Sequence, residues 1–133
     1  MLNFFKIYPL LLMFFLAVDL LWLGGVARNF YRKHLGRFFR DKINWPAALA
    51  FYGIYIAGIL IFAVLPAARE GSPVQAGIYG MLYGFFTYAT YDLTNLATLR
   101  DWPGVIVVVD VLWGTVLCGI SALAGYIIAG WVA

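Results

Sequence analysis

This sequence predicts an all-α integral membrane protein, a bundle of four transmembrane helices with a short basic helix lying in the membrane interface between spans one and two. Three observations carry that prediction. Of the 133 residues, 65% are hydrophobic and only 11% charged, where soluble domains have roughly a quarter charged. The apolar residues gather in four runs, residues 3–26, 46–67, 74–98 and 105–132, each long enough at about 1.5 Å per residue to cross a hydrocarbon core of about 30 Å. Finally, six of the 9 Lys and Arg residues (Arg28, Arg32, Lys33, Arg37, Arg40 and Lys42) crowd between the first two runs. Short loops without a Ser/Pro-rich linker predict one membrane domain over residues 1–133.

The first span, 3–26, contains Pro9 and one acidic residue, Asp19. Its apolar stretch exceeds the roughly 7–15 residues of a signal-peptide core and has no small-x-small cleavage site, so it is expected to stay in the protein. Residues 28–43 place Tyr31, Leu35, Phe38 and Phe39 at helical spacing with cations elsewhere around the turn. This is the interfacial helix, apolar side down and basic side toward anionic headgroups contacted along residues 28–42. His34, the single histidine, sits among cations that disfavour binding another one.

Trp45 suits the interface and Pro46 a first helical turn, so the second span starts there. Arg69-Glu70-Gly71-Ser72-Pro73 is a turn. The third span, 74–98, carries Gly77, Gly80 and Gly84, spaced for close helix approach, and the fourth, 105–132, carries Asp110, Gly114, Gly119 and Gly125. The cation-rich loop is expected to face the cytoplasm, which puts both termini outside.

Several functions are excluded. The net charge of +3 is concentrated beside membrane spans, so lipid and no nucleic acid is the expected partner. With Cys118 as the single cysteine there is no intrachain disulfide and no thiolate cluster. No H-E-x-x-H, nucleophile elbow or Gly-rich phosphate loop occurs, and no cofactor is expected.

What remains is a set of polar residues inside the spans. Tyr88, Tyr91, Asp92, Asn95 and Thr98 fall within an arc of about 120° on an ideal helix, one polar stripe on an apolar rod. Counted from the cytoplasmic ends of their helices, Asp19, Asp92 and Asp110 lie at one depth, roughly 9–12 Å in. In D-L-L-W-L-G (19–24) and D-V-L-W-G (110–114), tryptophan follows aspartate by three residues, so Trp22 and Trp113 project from the same helix face as their carboxylates. Because those two spans run in opposite directions, the shared pattern could be the trace of an inverted repeat.

The octapeptide Y-D-L-T-N-L-A-T (91–98), followed by L-R-D-W-P and preceded by D-L-L-W-L-G in the first span, resembles a family of small bacterial membrane proteins, domain of unknown function 2177. The resemblance covers nearly the whole chain. It implies a multi-pass protein of the bacterial cytoplasmic membrane and brings no chemistry.

Asp19, Trp22, Tyr91, Asp92, Asn95, Thr98, Asp110 and Trp113 are therefore the expected ligand-binding set. Three carboxylates at one level cannot all be ionised, close and dry, which leaves a shared proton, a bound cation or a water-filled cavity. Arg28 and Arg100 are placed to snorkel toward the layer. The leading functional expectation is a transporter or binding protein for a cation, a proton-linked or a small polar or amphiphilic solute. Four helices leave little room for a pathway, so transport would favour a homo-oligomer. The alternatives are a lipid- or isoprenoid-modifying enzyme using carboxylate acid/base chemistry and a non-catalytic membrane partner subunit.

Overall fold

The computed structural model describes residues 3–133; residues 1 and 2, which the single-domain expectation includes, lie outside the described residues. The chain forms six α-helices and, among the described residues, no strand: α1 (Phe4–Leu21), α2 (Arg28–Leu35), α3 (Trp45–Ile59), α4 (Leu65–Glu70), α5 (Pro73–Thr98) and α6 (Gly104–Val132).

Local chemistry sets the ends. The Asn3 side chain accepts from the Phe5 and Lys6 amides, Asn44 from Ala47 and Ser72 from Gln75, each satisfying N–H groups that a first helical turn leaves open. Pro46 and Pro73 occupy first-turn positions, where no amide is missed. Gly71 closes α4 with φ +65°, a left-handed conformation that glycine adopts without steric cost.

Two π-helical turns interrupt the long rods. Trp22–Val26 extends α1, and Leu60–Val64 joins α3 to α4, ending two residues before Pro66. Pro66 cannot donate to the preceding turn, and widening the helix there accommodates it.

Three segments are long and apolar enough to cross a membrane: Phe4–Val26, Trp45–Glu70 and Gly104–Val132. The α5 helix, at 26 residues, has the length but not the apolar character. Its eight tyrosines and threonines among Tyr79–Thr98, with Gln75, Asp92 and Asn95, dilute the aliphatic residues. Three of the four expected spans are thus met on length and composition together, and the third in sequence on length alone.

Helices α5 and α6 form the most extensive pair in the molecule. They run antiparallel: Gly77 faces Leu123, Gly80 faces Cys118 and Ala122, and Gly84 faces Gly114. A Cβ at Gly80 or Gly84 would overlap a backbone carbonyl of α6, so only glycine permits this spacing. Against the pair pack α1 and the α3–α4 rod. Ile7, Leu11 and Phe15 of α1, Ile56 to Val64, and Leu117 to Ala129 of α6 contribute to one buried core.

A second, smaller cluster closes one end of the bundle. Tyr31 and Leu35 of α2 bury against Trp102, Ile106 and Val107, and Arg37 donates to the Asp101 carbonyl at 2.5 Å. The basic loop and the 99–103 turn therefore share an end, as antiparallel spans require. The expected interfacial helix is shorter than 28–43. It spans Arg28–Leu35, continues as a 3-10 turn to Phe38 and then runs non-helical to residue 44. The expectation that Tyr31 and Leu35 face lipid is corrected: both face protein, while Phe38 and Phe39 remain exposed.

Candidate functional site

Asp19, Asp92 and Asp110 gather at the end closed by α2. Asp110 lies six residues into a helix that starts at Gly104, and Asp92 six residues before one that ends at Thr98. Both are about 9 Å from their helix ends. Asp19 lies at the same end of α1, close to α6.

Each carboxylate has a different surrounding. Asp19 is 6% exposed; its Oδ2 accepts from the Tyr52 hydroxyl at 2.8 Å and its Oδ1 faces the Trp113 Nε1 at 3.4 Å. Asp110 accepts from the Tyr31 hydroxyl, whose oxygen in turn accepts from Trp22 Nε1 at 3.2 Å. Asp92 is 0% exposed, and neither of its oxygens has a hydrogen-bond partner among the described residues. Asp110 and the indole of Trp102 are its polar neighbours, and the Trp102 N–H is equally without a partner.

The two Asp-x-x-Trp stretches interlock. Trp22 and Trp113 stack with ring centroids 4.3 Å apart and planes within 10°. From that stack each indole points toward the other helix's carboxylate, Trp113 directly to Asp19 and Trp22 through Tyr31 to Asp110. The π-helical turn that begins at Trp22 positions its ring for this. Gly114, the last residue of the second stretch, leaves room for the ring of Tyr88, which any Cβ there would strike.

Below this layer lies a neutral polar cluster. Tyr55 Oη is 2.7 Å from Thr87 Oγ1 and 3.1 Å from Cys118 Sγ, and the Tyr83 hydroxyl donates to the Tyr55 carbonyl at 3.2 Å. Between the two layers opens a cleft of about 380 Å³, lined by Phe51, Tyr55, Thr87, Tyr88, Tyr91 and Asp110. Phe51 and Tyr91 are 49% and 58% exposed, which puts them at its rim.

Of the eight residues expected from sequence, Asp19, Trp22, Asp92, Asp110 and Trp113 come together at the acidic layer. Tyr91 lines the cleft and packs edge-on against Trp102. Asn95 is half-buried and takes no part in the hydrogen bonds among the aspartates, and Thr98 is exposed with its hydroxyl donating to the Thr94 carbonyl. The polar stripe on α5 is therefore split, Tyr88 and Asp92 turning inward and Thr98 outward. No group of three or more His, Cys, Asp or Glu among the described residues is placed to hold a metal ion. The expected arginine neutralisation is also corrected. Among the described residues neither Asp92 oxygen has a hydrogen-bond partner, and tyrosine and tryptophan reach the other two carboxylates from adjacent helices without carrying a charge into the bundle.

Sequence reasoning missed Tyr31, Tyr52 and Trp102 as members of the site. Tyr31 lies outside the spans, and burial, then the Asp110 carboxylate, hold its phenol well above the ordinary value of about 10. It was legible only as part of an apolar face, although a hydroxyl on that face is the one feature that leucine or phenylalanine would lack.

A family profile described as a predicted membrane protein of unknown function, number 2177, matches residues 4–127. No curated protein and no solved structure matches the chain.

Proposed function

We propose, since the chain belongs to that family of predicted membrane proteins, that it is a multi-pass protein of the bacterial cytoplasmic membrane whose acidic layer binds a proton-exchanging or positively charged small solute. Asp92 carries this reading. A fully buried carboxyl group with neither oxygen hydrogen-bonded among the described residues has nothing to offset its desolvation, and an ionisable residue at such a place in a membrane protein marks function by default. Beside Asp110, it is equipped to take up either a proton or the positive charge of a ligand.

The topology we infer is four crossings in one domain. Helix α5 binds α6 along most of its length, and a helix so held crosses with its partner, its glycine face on protein. The loop with Arg28, Arg32, Lys33, Arg37, Arg40 and Lys42 then faces the cytoplasm and its anionic headgroups, both termini lie outside, and the acidic layer sits near the cytoplasmic surface. Asp19, held by Tyr52 and Trp113, and Asp110, held by Tyr31, frame the site. Trp22 and Tyr91 complete its walls.

The test is infrared difference spectroscopy on the purified protein in lipid nanodiscs, comparing wild type with Asp92→Asn. A carboxylic-acid carbonyl band that vanishes in the variant, and that shifts in wild type when pH or cation concentration changes, is the expected result. A band insensitive to both conditions would leave Asp92 a buried structural residue and sink the proposal.

A further inference from the structure

We propose that the cleft beside Asp110 is a recognition site for an ammonium group, either that of a small soluble amine or that of an amine-bearing lipid headgroup. This rests on the reading of the acidic layer as a cation site and names the chemistry it selects. The lining is the first ground. Phe51, Tyr55, Tyr88 and Tyr91 supply four aromatic rings and Asp110 the one charged group. Ring faces attract ammonium ions, a carboxylate supplies the matching charge, and walls of rings around one carboxylate suit an organic cation better than a hydrated inorganic one.

Charge and donor number support the same class. The hydroxyl of Tyr31 engages Oδ1 of Asp110, so the acceptors left to the cleft are few: the rest of that carboxyl group, which also neighbours Asp92, and the Thr87 hydroxyl. A divalent ion needs six or more oxygens and a small alkali ion nearly as many, and the described residues hold no cluster of three metal-ligating side chains. An ammonium group needs up to three acceptors, or none if it is quaternary. The cleft volume of about 380 Å³ falls at the small end of ligand pockets, which run from about 300 to 1,000 Å³.

The rim points to how a ligand arrives. Phe51 and Tyr91 are exposed at the level of the acidic layer, about 9 Å from the helix ends. The cleft thus opens sideways between α3 and α5, close enough to the helix ends for a headgroup or a soluble amine at the membrane surface to reach it.

The test uses the full chain in nanodiscs of phosphatidylglycerol alone, with methylammonium and tetramethylammonium as probes in saturation-transfer NMR and potassium as competitor. Expected is probe binding that potassium displaces at least tenfold less well than unlabelled methylammonium. Asp110→Asn should weaken it tenfold or more, and Phe51→Leu and Tyr91→Leu should each weaken it two- to fivefold. Native mass spectrometry against phosphatidylethanolamine and phosphatidylglycerol separates the sources. Retention of the amine lipid that Asp110→Asn abolishes assigns the site to a headgroup, and probe binding without that retention assigns it to a soluble amine. Equal competition by potassium, with Phe51→Leu and Tyr91→Leu silent, overturns the ammonium site while the infrared response of Asp92 still supports a cation layer. If that response is absent too, both fall. Thermal melting of each variant identifies loss of fold.

Discussion

The α5/α6 pair is built in two ways along its length. From Gly77 to Gly84, against Gly114 to Leu123, it is a dry seam in which glycine lets the two backbones touch. From Thr87 to Thr98, against Gly104 to Trp113, the ring of Tyr88 and two carboxyl groups stand between the same helices, and a cleft opens beside them against α3. A membrane interior gives little hydrophobic drive for helix association, so the seam holds by van der Waals contact and must be close to hold at all. The polar end holds by directed hydrogen bonds that leave some groups unmet. Stability is concentrated in one half, and unspent bonding capacity in the other.

Breaking the seam should produce the largest effect. A Cβ at Gly84 would overlap the Gly114 carbonyl and crowd the Cys118 Cβ, and backbone carbonyls cannot swing aside as side chains do. Gly84→Leu is expected to abolish the folded bundle, and Gly84→Ala to destabilise it by about 2–3 kcal/mol or more, since overpacking a tight contact costs about 1–3 kcal/mol where side chains can adjust. Gly130→Ala, with open space around its Cβ, is the control and should melt within experimental error of wild type. Equal melting of Gly84→Ala and Gly130→Ala in detergent would show that the seam is looser than drawn.

The seam was visible in the sequence and the polar end only in outline. Gly77, Gly80 and Gly84 are spaced for close approach, and spacing along one helix is what a sequence records. The aspartates and the Asp-x-x-Trp stretches were equally legible. Their pairing was not, because it depends on how helices cross. Asp92 meets Asp110 while Asp19 meets Tyr52, a residue 33 positions away. Tyr31 escaped because a tyrosine on an amphipathic helix fits lipid as well as protein. The placement of Asn95 and Thr98 apart from the carboxylates was not legible, because an ideal helical wheel assigns a face but not which part of it a neighbour covers.

The next largest effect belongs to the bonded carboxylates. In Tyr52→Phe, Asp19 keeps only the long contact to Trp113, and a buried acceptor that loses its partner costs about 1–3 kcal/mol. A double-mutant cycle with Asp19→Asn should recover a coupling energy of that order. Additivity of the two changes would mean that the 2.8 Å bond contributes nothing.

Asp92 should respond in the opposite direction. With no hydrogen bond to lose, Asp92→Leu is expected to leave stability unchanged or raise it by about 1 kcal/mol, as replacing unpaired buried polar groups with apolar ones of similar shape does. The same substitution should eliminate the cation-dependent infrared response. A residue that weakens the fold but serves the site is the trade expected of a functional position. A fall in melting temperature with Asp92→Leu would instead give Asp92 a structural partner.

The smallest effect is at the clamp between α2 and the acidic layer. Burial, then Asp110, raise the Tyr31 phenol above its ordinary value of about 10. Above pH 10 the unfolded chain releases this proton while the folded chain keeps it, so the folded state binds more protons and loses stability as pH rises. Below pH 10 both states hold the proton and Tyr31 makes no pH-dependent contribution. Tyr31→Phe should therefore be less stable at neutral pH, having lost the bond to Asp110, and should lose less further stability between pH 10 and 11 than wild type does. Melting curves across that interval test it. Parallel pH profiles for the two proteins would place the Tyr31 hydroxyl in water, and the helix that covers the acidic layer would then be resting on the bundle without being fastened to it.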